Sequence, residues 1–273
     1  MWWFQQGLSF LPALLVVWTA AAFIFAYVMA VVLRHVDPLV PYISDTGAMA
    51  PERCVFGIML DVSAFLGMAT VYVRYKQVEA LTSGADNGCV YRLNRCGLLL
   101  GLFSSLGLCV VANFQKTTLF WAHLLGAVLT LGVGALYILA QTLLSQRMQP
   151  RVHARSLFHV RLALALWTAA SVLAMFVSSV VMYSSLPGVD VARKLHWKPG
   201  ETGYTAHIIS TVCEWSLALS FISFFLTFIR DFQKIKLRAE VLMECDHLYD
   251  RPARSVPNKP DTSESSPLLQ GDT

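Results

Sequence analysis

Along this chain, long apolar stretches alternate with short polar ones, and the apolar stretches are too long to be strands. They recur six times, at about 8–33, 54–73, 96–113, 119–144, 157–183 and 204–229. A helix needs about 17–25 residues to cross the hydrocarbon core of a bilayer. The pattern therefore predicts an all-α fold, a polytopic six-helix transmembrane bundle over residues 1–229. A basic juxtamembrane segment follows at 230–250, and the Pro, Ser, Asp and Lys composition of 251–273 predicts a disordered tail. The first run has no basic segment ahead of it and is far longer than the core of a signal peptide, so it is expected to be a retained span.

Composition points the same way. Of 273 residues, 56% are hydrophobic and 14% charged, where a soluble domain carries about 25% charged residues. The net charge of +4 is then a matter of topology, and nucleic-acid binding is excluded as a reading. Fifteen Lys and Arg fall in the 74–95 and 145–161 loops and the tail from Arg230, against six in the other connections. Lys and Arg accumulate on the cytosolic side, so both termini are expected to face the cytosol. One local signal disagrees: no Lys or Arg precedes the first span, while Arg34 follows it. The total outweighs it because three loops agree.

This orientation sets the stretch Pro41–Gly47 in a lumenal or extracellular loop between spans one and two. Pro38 and Pro41 exclude helix there, and Asp45, Thr46 and Gly47 are turn formers. The loop is expected to lie over the ends of those spans as a cap, with Asp45 and Thr46 satisfying the entrance of helix two or a neighbouring loop. A 184–203 loop with His196 and Trp197 is its sizeable neighbour.

Ionisable groups inside spans are costly and hence informative. Asp61, His123, His207 and Glu214 all fall in the lumenal halves of their spans. With Asp45 and His35 they make a candidate lumenal polar cluster. Three readings stand: a structural network, a ligand or proton site, or acid–base catalysis on a lipid ester. The residues are scattered over several segments, with no HExxH and no GxSxG, so no catalytic residue, metal site or cofactor is assigned.

The six cysteines show no CxxC pairing, and no disulfide framework is implied. Cys89, Cys96 and Cys245 could carry palmitate or remain free thiols. Small residues at helical spacing in spans three and four, among them Gly101, Gly107, Gly126 and Gly134, suit close helix packing, with a lipid groove as the lesser reading. Arg161 is expected to snorkel to the headgroups.

After Ile229, Phe232, Ile235 and Leu237 interleave with charges, which predicts an interfacial helix. Arg230, Lys234, Lys236 and Arg238 would there contact anionic lipid. In the tail, Glu264 stands a few residues before Leu268 and Leu269, the form of an acidic dileucine signal read by clathrin adaptors.

PYISDTG after span one, VRYK at 73–76, VANFQ at 111–115, CEWS at 213–216 and FLTFIRDFQ at 225–233 resemble the DRAM family, the damage-regulated autophagy modulators of the wider Frag/DRAM/Sfk group. The resemblance covers about the first 240 residues and is weakest in the tail. It implies a six-span lysosomal membrane protein, with the plasma membrane as a further station, that promotes autophagy with a linked role in cell death. It implies no catalytic residues. The wider group includes proteins tied to phosphoinositide-kinase recruitment and GPI-anchor lipid remodelling. The expected function is therefore non-enzymatic recruitment of lipids and autophagy proteins, with a lipid-modifying enzyme or lipid transporter as the alternative.

Overall fold

A computed structural model of the chain describes residues 7–82, 88–149 and 154–235. It is built of helices, six of them long and apolar enough to span a membrane: α1 (Phe10–Val32), α2 (Glu52–Thr82), α3 (Gly88–Asn113), α4 (Phe120–Arg147), α5 (Arg155–Ser185) and α6 (Tyr204–Phe232). Several outrun their apolar cores. α2 continues to Thr82 on a charged stretch that Lys76 and Glu79 stabilise as an i,i+3 pair at 2.7 Å. Most of the expected 74–95 connection is thus helix.

Burial is distributed as lipid requires. Large apolar side chains such as Phe65, Leu166, Phe176 and Trp121 face outward, while Ser63, Thr70, Thr168, Ser210 and Ser220 are buried. Lipid is as apolar as leucine, so helices associate through close packing and hydrogen bonds rather than by hiding apolar surface. The buried hydroxyls find helix carbonyls or one another: Thr70 Oγ1 donates to Leu66 O, and Thr168 and Ser220 meet at 2.9 Å. Between α3 and α4 the small residues let backbones touch. A Cβ on Gly107 would stand 2.7 Å from Thr130 N, and one on Gly126 2.9 Å from Val111 N. Within α4, Val128–Val133 widens to a π-helix, and Ser104 Oγ donates to its Thr130 O at 2.9 Å.

The two ends of the bundle differ. One, the cap end, carries the loops between α1 and α2 and between α5 and α6. The other brings the start of α1 against the finish of α6: Leu8 N–H donates to Phe232 O at 3.1 Å. Gly7 sits there at φ +59°, where any Cβ would strike three α6-end carbonyls.

At this second end two arginines are fully buried. Arg161 Nη2 reaches Asp231 Oδ2 at 2.7 Å and Arg74 Nη1 reaches the same oxygen at 3.3 Å. Arg161 also donates to Ser145 Oγ and Thr227 Oγ1, Arg74 to Gln141 and Gln77. Both guanidinium planes lie over the Phe228 ring, at 5.0 and 5.3 Å. Arg161 therefore does not snorkel. It is six residues into α5, about 9 Å, and a guanidinium facing the interior at that depth is held by partners rather than by headgroups.

The interfacial helix expected after Ile229 is corrected for the same reason. Phe232 is fully buried and packs on Phe228, with Ile235 partly buried against the same cluster, so the apolar residues of this segment turn into the bundle. Arg230 and Lys234 remain exposed. Leu237, Lys236 and Arg238 lie outside the described residues.

Asp231→Asn leaves two buried guanidinium groups without a counter-charge, and breaking such an arrangement from one side costs about 3–5 kcal/mol. The expected outcome is a marked drop in the thermal unfolding midpoint of the purified protein in detergent. Asp231→Glu should recover a large part of it.

Candidate functional site

The cap-end loop is built around one short turn. Asp45–Gly47 forms a buried 3₁₀ turn, closed by Thr46 Oγ1 donating to Ile43 O at 2.6 Å. Ahead of it, Val40 takes φ +45°, a left-handed conformation that β-branched residues avoid. Two neighbouring side chains of α6 hold the strained segment in place. Trp215 Nε1 donates to Pro41 O at 2.8 Å, and Ile43 N–H donates to Glu214 Oε2 at 2.7 Å.

Glu214 and Trp215 are ten and eleven residues into α6, about 15 Å along its axis. The loop therefore inserts between helices instead of lying over the ends of α1 and α2. Non-helical backbone is tolerated inside a bundle where protein satisfies its polar groups. Glu214 and Trp215 do that here, and the stretch Pro41–Ile43 is a plug.

Around the plug, Tyr42 donates its hydroxyl to Ser210 Oγ at 2.7 Å, with Ser179 Oγ a further 2.7 Å on. Lys116, from the short turn between α3 and α4, pairs with Asp45 at 2.5 Å and stands 4.7 Å above the Tyr42 ring. Burial pushes the Asp45 carboxyl above the usual carboxylate range, and Lys116 counters that rise. His35 pairs with Glu52 at the α2 entrance.

The α5–α6 loop closes over the plug from the other side. Asp37 accepts Trp197 N–H at 2.6 Å and faces His196 at 3.0 Å. Burial raises the Asp37 carboxyl, but Trp197 and His196 outweigh it and hold the group below its ordinary range. The Trp197 ring stacks on His207 at 4.3 Å, and Tyr42 meets His207 edge-on at 5.2 Å.

The expected lumenal cluster is thus divided. Asp45 and His207 border one small recess under the cap together with Asp37 and Trp197. His123 and Glu214 border a separate central cavity. Asp61 belongs to neither: both its oxygens accept, at 3.0 and 3.1 Å, from the amide of Asn113 at the end of α3. His123 donates Nδ1–H to Phe114 O at 2.7 Å. Four ionisable groups aimed at one reacting centre are not found among the described residues. The sorting residues Glu264, Leu268 and Leu269, with Cys245, lie outside those residues.

Sequence reasoning passes over Lys116, Tyr42, Trp215 and the joint burial of Arg74 and Arg161 against Asp231. Lys116 has a signal, as the single basic residue in a very short connection facing an acidic loop. Arg74 counts there only as a loop charge, and Arg161 as a charge that snorkels.

A helical bundle with apolar outer faces, a loop plugged into one end and a charge-locked seam at the other defines a multi-pass integral membrane protein. The model of the Frag1/DRAM/Sfk1/Cwh43P N-terminal domain matches residues 7–235, and the chain belongs to that family. It is 55% identical over 259 residues to DNA damage-regulated autophagy modulator protein 2 of Bos taurus, covering 95% of this chain and 97% of that one. To DNA damage-regulated autophagy modulator protein 1 of Homo sapiens it is 41% identical, covering 86% and 95%. To the modulator of macroautophagy TMEM150B of Xenopus tropicalis it is 30% identical, covering 77% and 80%. No solved structure matches the chain.

The Asp45–Lys116 pair tests the cap. Asp45→Ala strands a buried lysine and should cost about 3–5 kcal/mol, whereas Asp45→Ala with Lys116→Met should cost much less. Unfolding midpoints of the two variants in detergent read the difference.

Proposed function

We propose that this protein is a lysosomal multi-pass membrane protein that modulates autophagy by recruitment rather than by catalysis. The observation that carries the reading is the near full-length similarity to relatives named as autophagy modulators. The division of the polar cluster into separate contacts supports a scaffold over an enzyme with a lumenal acid–base site. In this reading the cap end faces the lumen and both termini face the cytosol. Exposed Arg92, Arg95, Arg147, Arg155, Arg230 and Lys234 then lie on the cytosolic side, in keeping with the positive-inside bias. Arg74 and Arg161 add nothing to that bias at the surface, since both are buried.

Recruitment rests on the exposed basic groups. Arg230 and Lys234, continued in sequence by Lys236 and Arg238, would attract anionic lipid at about 1 kcal/mol per charge near the surface. Clathrin adaptors would read Glu264, Leu268 and Leu269 for delivery to lysosomes. An extended segment that docks two apolar side chains and one carboxylate suits that recognition.

Replacing Leu268 and Leu269 by Ala should move the protein toward the cell surface and reduce its restoration of autophagic turnover in cells lacking it. Retention in lysosomes with full restoration would assign sorting to another segment. Reversing the charge of Lys234, Lys236 and Arg238 should weaken binding of the purified protein to phosphoinositide-containing liposomes several-fold at moderate salt. Unchanged binding would remove the lipid-recruitment part.

A further inference from the structure

Beneath the plug, helices α1, α2, α3, α4 and α6 line a partly open cavity of about 160 Å3. Its wall follows α2 from Phe56 to Val71, a rise of about 22 Å at 1.5 Å per residue. A compact cavity near 150 Å3 takes a guest the size of benzene. The same volume drawn out over some four helical turns is a slot with the dimensions of one alkyl chain. Gly67 and Gly101 form part of its wall, and the π-helical turn of α4 supplies Thr130 and Leu131. Such turns recur at functional sites.

Along its length the slot offers a chain apolar side chains and several hydroxyls that are already engaged, while the Tyr137 hydroxyl, without a partner among the described residues, is itself sealed from the slot. Thr19 donates to Ser63, Ser63 to Met59 O, Ser104 to Thr130 O and Thr130 to Gly126 O.

The cap end of the slot is different. Glu214 lies deep in the bundle yet keeps accessible surface, and the cavity it borders is where that surface faces. Its Oε2 accepts from Ile43 N–H, while Oε1 accepts no hydrogen bond among the described residues and is not sealed from the cavity. His123 borders the same end. Its Nδ1 donates to a carbonyl, so the neutral ring presents Nε2 as a lone pair. Two acceptors without donors therefore border the cap end of an alkyl-sized slot. Pockets of this kind bind by apolar burial and use a few polar groups to fix orientation.

We propose that this slot holds a single-chain amphiphile with a hydrogen-bond-donating, non-anionic head, its head at Glu214 and His123 and its tail running toward Tyr137. A long-chain amine and a monoacylglycerol both have this chemistry. A fatty acid of the same chain length sets a second carboxyl group, rich in acceptors, against Glu214 and is disfavoured. The reverse polarity, an acid head at the Tyr137 end, has less support: Arg74 and Arg161 are committed to Asp231 and do not line the slot. The inference is independent of the recruitment reading, since it concerns an internal site rather than the exposed basic groups.

The test uses the full chain in phosphatidylcholine nanodiscs and three photoactivatable probes of equal chain length: sphingosine, a monoacylglycerol and a fatty acid. Labelled positions are mapped by mass spectrometry. The amine or the alcohol should label slot residues such as Leu60, Leu108 and Phe221, should be displaced by its unlabelled counterpart, and should exceed the fatty acid at least tenfold. Glu214→Gln separates the sources: slot labelling by the amine falls tenfold or more if the ligand is cationic, while labelling by the alcohol falls two- to threefold if it is neutral. Ala218→Phe, which narrows the slot, should abolish labelling by either probe, with the unfolding midpoint as control for folding. If Ala218→Phe fails to fold, Glu214→Gln alone decides. Equal or stronger labelling by the fatty acid, labelling confined to lipid-facing residues such as Phe65 and Phe176, or indifference of both favoured probes to Glu214→Gln would each overturn the proposal.

Discussion

A single carboxylate, Asp231, holds two fully buried guanidinium groups, and the second end of the bundle depends on that arrangement. A buried charge is expensive unless it is paired and hydrogen-bonded, and more so where lipid rather than water surrounds the protein. Arg74 from α2 and Arg161 from α5 meet on α6 because Asp231 and the Phe228 ring are both there. Gln141 and Ser145 bring in α4. Four helices are thereby registered against one another at one level. The start of α1 then seals the same region, with Leu8 bonded to Phe232 and Gly7 admitting the close approach.

At the cap end the same requirement takes a backbone form. The Pro41–Ile43 plug carries peptide groups into the bundle, and Trp215 and Glu214 answer them. Holding the plug down requires the Asp45–Lys116 pair on one side and the Asp37, Trp197 and His207 contacts on the other. The central cavity is a consequence. An inserted loop holds helices apart below it, while the glycine contacts between α3 and α4 limit how wide the gap becomes. Glu214 joins both features, since one of its oxygens holds the plug and it also borders the cavity.

The family relationship and the geometry agree on a membrane protein and bear on different parts of its function. Similarity over almost the whole length links the chain to relatives named for modulating autophagy. The geometry supplies what such names omit: rigid ends, an internal slot, and basic residues that are exposed only where they are not consumed by Asp231.

Which of these features could be read from the chain depends on whether each is a local or a long-range property. Apolar length is local and one-dimensional, so the sequence by itself determined six spanning helices and their order. The small-residue faces of α3 and α4 and the turn character of Asp45–Gly47 were legible for the same reason. Burial and partnership are set by residues distant in the chain. Arg161 and Asp231 are 70 residues apart, and Ile43 and Glu214 are 171 apart. Read locally, Arg161 is a snorkelling side chain and Phe232 an interfacial one. Only the tertiary structure decided that both turn inward, that Asp61 stands apart from His123 and Glu214, and that the polar loop enters the bundle. In a medium without water, a charge or a peptide group goes where another part of the protein can satisfy it, and the identity of that partner is not written in the neighbouring residues.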